Sequence, residues 1–154
     1  MAQAQDVMVE KVISVSEKDS IKTVLKAFVD HQIGGVPVVN ETNEPVGYIS
    51  DGDIMKYIGY RDPSVFFFDL YTYSTSIVFN QSFEEKIKDL ENFNVMDIGK
   101  KRVISVQYDE EIDKIAKLLG DTKIKKVPVL KDKKVVGIIS RGDIVRFIVK
   151  NYLN

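Results

Sequence analysis

The apolar positions change period several times along the chain, and each change marks an element. Val12-Ile13-Ser14-Val15 is a short β-branched run and predicts a strand. Ser16-Glu17-Lys18-Asp19-Ser20 supplies helix-start residues. Ile21, Val24, Leu25 and Phe28 then fall at i, i+3, i+4 and i+7, the spacing of one helical face. Gly34-Gly35 is expected to end that helix. Val36-Pro37-Val38-Val39 reads as a second strand, its proline near the start, where a missing N–H is tolerated. Asn40 to Pro45 reads as a hairpin turn and Val46 to Ile49 as a third strand. A second helix from Ser50 turns Ile54, Tyr57 and Ile58 inward. The order is β-α-β-β-α.

The same pattern then returns. Val12-Ile13-Ser14-Val15 is echoed by Val103-Ile104-Ser105-Val106, and Val36-Pro37-Val38-Val39 by Val127-Pro128-Val129-Leu130, each 91 positions later. Gly47-Tyr48-Ile49-Ser50-Asp51-Gly52-Asp53-Ile54 returns 90 positions later as Gly137-Ile138-Ile139-Ser140-Arg141-Gly142-Asp143-Ile144. One residue is therefore lost in the turn Lys131-Asp132-Lys133-Lys134. A repeat in register over half a chain fixes the architecture before any single motif is read. The second copy has its own stripe, Ile112, Ile115, Leu118 and Leu119, and a last helix reaching about Asn151. The expected division is 1–58 for the first repeat, 59–94 for an insertion and 95–154 for the second repeat.

The insertion breaks the pattern. Arg61-Asp62-Pro63-Ser64 can open a helix carrying Phe66, Phe67, Phe68, Tyr71, Tyr73 and Phe79. Asn80-Gln81-Ser82 stops it and starts another, with Ser82 and Glu85 at capping-box spacing. Apolar groups on several faces of the aromatic helix call for burial on several sides, and a second subunit could supply one of them. From Val65 to Phe79 the chain is apolar, yet it is shorter than the ~20 residues of a spanning helix and carries Asp69, Thr72 and three serines or threonines more. A buried helix is therefore expected there, and no membrane partner.

Composition narrows the function classes. The 154 residues hold 22 basic and 23 acidic side chains, a net charge of −1, so no global field draws the chain to nucleic acid. Cysteine is absent, which excludes disulfides and a thiolate nucleophile and suits a cytoplasmic location. His31 is the single histidine, so a zinc site of the usual kinds is not expected; it reads as a polar residue near a helix end. The acidic clusters Glu84-Glu85 and Asp109-Glu110-Glu111 fall at helix starts, where they complement the dipole. No phosphate-cradling G-x-x-x-x-G-K-[ST] and no G-x-S-x-G occurs. The expectation is a chain that is not an enzyme and needs no catalytic cofactor.

The residues that could carry chemistry are Ser50-x-x-Asp53 and Ser140-x-x-Asp143, each after an apolar strand and at the start of a helix. Two readings share that geometry. Serine at the cap with an acid three residues on makes a capping box. The same carboxylate can accept hydrogen bonds from both hydroxyls of a ribose, beside a serine hydroxyl and free helix N–H groups.

The doubled G-h-h-[ST]-x-x-D turn after an h-P-h-h strand resembles a tandem pair of CBS (cystathionine-β-synthase) domains, together a Bateman module, over nearly the whole chain except the insertion. The resemblance implies an α/β (α+β) fold of two pseudo-symmetric repeats packed through their sheets. It implies clefts that bind an adenosine-containing ligand: AMP, ADP, ATP, S-adenosylmethionine or cyclic di-AMP. Its ribose positions fall on Ser50, Asp53, Ser140 and Asp143. Its base pocket, taken from the opposite repeat, falls on Ile104, Ile124 and Lys125 opposite Asp53, and on Ile13, Ile33 and Gly34 opposite Asp143. Backbone groups of Tyr48 and Ile138 would line the base. Phosphate would fall to Lys125 and Lys126 in one cleft and to Arg141 in the other; Gly34-Gly35 stands where the second repeat has Lys125-Lys126. Lys123, Lys125 and Lys126 also fit a solvated helix end. Two unequal sites are expected, in a regulatory homodimer signalling to an effector protein. The alternative is a dimerisation or interaction module that binds no nucleotide.

Overall fold

The computed structural model describes residues 1–59 and 81–153. The aromatic stretch with Phe66, Phe67 and Phe68 lies outside them. The first repeat contains β1 (Val15–Ser16), α2 (Ile21–His31), β2 (Gly35–Val39), β3 (Pro45–Ser50) and α3 (Asp51–Gly59). The second contains β4 (Val106–Gln107), α6 (Ile112–Asp121), β5 (Lys126–Lys131), β6 (Lys134–Ser140) and α7 (Arg141–Tyr152). Each repeat builds a three-stranded sheet whose first pair is parallel and second pair antiparallel.

Three shorter or connecting helices complete the described residues: α1 (Ala4–Val7), α4 (Phe83–Glu91) and α5 (Val95–Ile98). The capping box expected at Ser82 is formed; the Ser82 hydroxyl accepts from Glu85 N at 3.2 Å and Ser82 N donates to Glu85 at 3.3 Å. His31 is the last residue of α2, which ends one turn before the glycine pair. Gln32 takes the left-handed conformation, φ 53°, and closes the helix itself. The first strand is shorter than Val12–Val15 suggests, because pairing with β2 begins only at Val15.

The two hairpins account for the lost residue. Asp132 and Lys133 form a two-residue turn with φ of 52° and 69°, the mirror-image geometry that matches strand twist. The longer first turn is held by Asn40 Oδ1, which accepts from Thr42 N and Glu44 N. Its tip reaches the other repeat: Asn43 Nδ2 donates to Val135 O at 2.9 Å, and Val135 N to Asn43 O at 3.1 Å.

The leading segments cross over. Ala4 N donates to Glu110 O, Gln5 N to Tyr108 O, and Val9 and Ile138 exchange backbone bonds, so α1 lies on the second repeat. Symmetrically, Ile21 N donates to Phe93 O, Val95 N to Asp19 O, and Lys100 and Tyr48 exchange bonds, so α5 lies on the first. The cores follow. Ile21, Val24, Val36, Val38, Ile49 and Ile54 are joined by Leu90 and Val95. Ile115, Leu119, Val127, Val129 and Ile139 are joined by Ala4, with Val7 and Met8 packed alongside. A fully buried side chain such as Leu90 contributes about 1.5–3 kcal/mol through area removed from water.

Candidate functional site

Both strand-to-helix turns fold around the candidate acids, and the second closes as a full capping box. At the first, Ser50 N and Ser50 Oγ donate to Asp53 Oδ2 at 3.0 and 3.2 Å. Asp53 is buried, and Lys100 Nζ, carried in by the crossed segment, stands 4.0 Å from its Oδ1. At the second, Ser140 N and Oγ donate to Asp143 Oδ2 at 2.7 and 2.9 Å, and Asp143 N returns a bond to Ser140 Oγ at 3.2 Å. Arg146 Nη2 donates to Asp143 Oδ1 at 2.6 Å. Burial alone would raise the Asp143 carboxyl, but the Ser140 bonds and Arg146 outweigh it and hold it below the usual carboxylate value.

The mismatches between the repeats form matched sets. Asp51 N donates to Gly34 O, and a Cβ on Gly34 would lie 2.6 Å from the Asp51 carboxylate. A Cβ on Gly35 would lie 2.5 Å from the Tyr48 hydroxyl. The glycine pair therefore makes room for Asp51 and Tyr48. Burial, with the charges of Asp51 and Asp53, pushes the Tyr48 hydroxyl up to about 12. In the second repeat those places are held by Lys125, Lys126, Arg141 and Ile138. Arg141 N bonds Lys125 O, the same backbone link, while its guanidinium donates to Thr122 O at 2.9 Å.

The remaining nominated residues are spread along this crossed frame. Ile13 and Ile33 are half-buried against the first core, and Ile124 against the second. Ile104 is exposed, Ile138 is half-buried in β6, Lys125 is exposed and Lys126 half-buried. Two open grooves accompany them. One of about 570 Å³ lies at the hairpin ends, between Glu44 and Pro45 and the second repeat's Val103, Ser105, Gln107 and Lys133. The other, of about 380 Å³, lies beside Asp143 between Asp6 and Val7 of α1 and Arg146, Phe147 and Lys150 of α7. Neither is lined by the nominated isoleucines. The groups that reach the two acids, Lys100 and Arg146, are ones the sequence reading did not nominate. Arg146 carried a visible signal, an i,i+3 pairing with Asp143; Lys100 carried none.

Two crossed β-α-β-β-α units with this pair of turns define a class of protein, and the comparisons bear it out. The CBS domain model matches residues 4–60 and 95–150, and the chain belongs to the CBS domain family as a tandem pair. An uncharacterized protein of Methanocaldococcus jannaschii, MJ1426, is 30% identical over 153 residues, covering 94% of this chain and 90% of that one. Other curated relatives are longer, the chain spanning 31% of one and 23% of another. Among solved structures, the CBS domain pair of MJ0100 in complex with 5′-methylthioadenosine and S-adenosylmethionine superposes with a TM-score of 0.71 at 23% identity, covering 97% of this chain and 98% of that one. CBSX2 of Arabidopsis thaliana in complex with AMP gives 0.73 at 23% identity, covering 99% of both chains.

Proposed function

We propose that this chain is a regulatory, non-catalytic module that binds an adenosine-containing ligand between its repeats and passes the bound state to a partner protein in the cytoplasm. The observation that carries the reading is the doubled turn: two acids with little-exposed side chains, each fixed by its own serine, at the start of a helix and met by a segment from the other repeat. In this reading Ser50, Asp53, Ser140 and Asp143 hold ribose. Ile13, Ile33, Gly34, Tyr48, Ile104, Ile124 and Ile138 enclose the base, and Lys125, Lys126 and Arg141 meet phosphate. The adenosyl ligands in complex with MJ0100 and CBSX2 support the ligand class. A signal arises only from a ligand that binds two arrangements of the repeats unequally.

The homodimer belongs to the same proposal. Val145, Ile148, Val149 and Tyr152 lie at helical spacing on α7 and are all exposed, an apolar stripe that a second copy can cover. Light scattering at micromolar concentration should give twice the chain mass; a clean monomer would end this part of the proposal. The alternative, an interaction module that binds no nucleotide, draws support from the same capping bonds, which give both acids a structural task.

Thermal unfolding separates the two. A ligand at ~100 times its dissociation constant stabilises by about 2.7 kcal/mol. That is roughly 5–10 °C at about 2–4 °C per kcal/mol. AMP, ADP, ATP, S-adenosylmethionine and cyclic di-AMP form the test panel. No shift with any of them at millimolar concentration, or a shift unaltered by Asp53→Ala and Asp143→Ala together, leaves the capping role alone standing.

A further inference from the structure

The two acids are unequal acceptors. One oxygen of each is committed to its serine. The second oxygen differs. Asp143 Oδ1 accepts from Arg146 at 2.6 Å, whereas Asp53 Oδ1 has Lys100 Nζ at 4.0 Å, beyond hydrogen-bond reach. The residue of the first repeat in the place of Arg146 is Lys56, exposed on α3. A carboxylate that is to accept both hydroxyls of a ribose needs an uncommitted oxygen. Asp53 Oδ1 is open at both lone pairs, whereas one lone pair of Asp143 Oδ1 is taken by Arg146.

We propose that Arg146 is a specificity-determining residue of the second turn, withholding Asp143 from uncharged nucleosides and releasing it to ligands that bring a phosphate. The inference rests on the adenosyl reading above. The Arg146 side chain is 73% exposed and free to turn outward, while the Asp143 side chain is only 10% exposed and fixed by Ser140. A neutral ribose that displaces the guanidinium breaks a charge-assisted hydrogen bond and returns nothing to the arginine. A phosphate returns two, because guanidinium and phosphate match bidentately. The groove of about 380 Å³ beside Asp143 has room for that exchange, with Arg146 and Lys150 as cations and Val7 and Phe147 as an apolar wall. No such exchange is needed at Asp53, so that acid itself does not discriminate nucleoside from nucleotide.

Adenosine and AMP differ by the phosphate alone, and calorimetric titration of the whole chain with each is the test. The wild-type chain should bind AMP at two comparable sites. Adenosine should find one such site and a second at least about tenfold weaker, the order expected for one hydrogen bond to a charged group. Arg146→Ala, with its fold checked by circular dichroism, should bring the second adenosine site within a few-fold of the first and weaken AMP there. Asp143→Asn should abolish that site and identify it. Three results overturn the gate while sparing the adenosyl reading: equal adenosine sites in the wild type, AMP confined to one site, or an adenosine-to-AMP ratio unmoved by Arg146→Ala. If neither compound binds, the adenosyl reading falls and the gate falls with it.

Discussion

Gly47 and Gly137 occupy the same place in the two repeats, and alanine at each should cost different amounts. A Cβ on Gly47 would lie 2.8 Å from Lys100 O, a backbone atom held by its bond from Tyr48 N, also 2.8 Å long. That oxygen cannot swing aside; the crossed segment must move. A Cβ on Gly137 would meet the Met8 side chain, with its Sδ nearest and its Cγ at 2.8 Å. Methionine is flexible and can repack. Overpacking against a rigid neighbour costs about 1–3 kcal/mol. The entropy lost by the unfolded chain when glycine becomes alanine returns about 0.4–1 kcal/mol. Gly47→Ala should therefore destabilise by about 1–2 kcal/mol and lower Tm by roughly 2–8 °C at about 2–4 °C per kcal/mol. Gly137→Ala should cost about half as much or less on the same reasoning. Thermal unfolding gives the totals. Hydrogen exchange at the Tyr48 and Lys100 amides shows whether the loss is local to the crossing. Gly137→Ala proving the costlier change, or unchanged exchange at Lys100 beside a large drop in Tm, would refute the account.

Two pH responses follow from the same turns. The Tyr48 hydroxyl is pushed up to about 12, so the folded chain prefers its neutral form. Its stabilising effect is complete below the unfolded value near 10 and is lost as pH rises toward 12; Tyr48→Phe should flatten this alkaline limb in denaturant titrations. Asp143 is held below its ordinary value, so it stabilises above the unfolded value and loses that effect as pH falls through the lowered one. Acid unfolding below about pH 4 should be less steep in Asp143→Asn than in the wild type; identical acid limbs would show that the capping and Arg146 bonds add nothing.

The repeats, the β-α-β-β-α order and the Ser82 cap were legible because each extends over enough residues to show a period or a paired signal. The crossed helices were not. Ala4–Val7 and Val95–Ile98 are single turns, too short for an apolar period. Their caps do repeat in register, Gln3 with Asp6 and Asn94 with Asp97, 91 positions apart, but a cap says where a helix starts and not which repeat it lies against. The candidate turns were legible in the spacing of their acids and not in the groups that neighbour them. Spacing placed Asp53 and Asp143 in their turns, and only the fold brought Lys100 to one of them. The glycine pair looked like a missing phosphate site; its contacts show that it accommodates Asp51 and Tyr48.

The crossing of the leading segments also governs how the chain reaches its native state. The first repeat lacks Leu90 and Val95 of its core until the chain has been made well past its own last helix. Met8 and Val9, made before either sheet, must wait for Gly137 and Ile138. Such pairings join opposite ends of the sequence, and high contact order slows folding because loop entropy is lost before the contact rewards it. Neither half-chain has a complete core of its own, so the two repeats should melt as one cooperative unit and assemble late, with their ends the last strands tied.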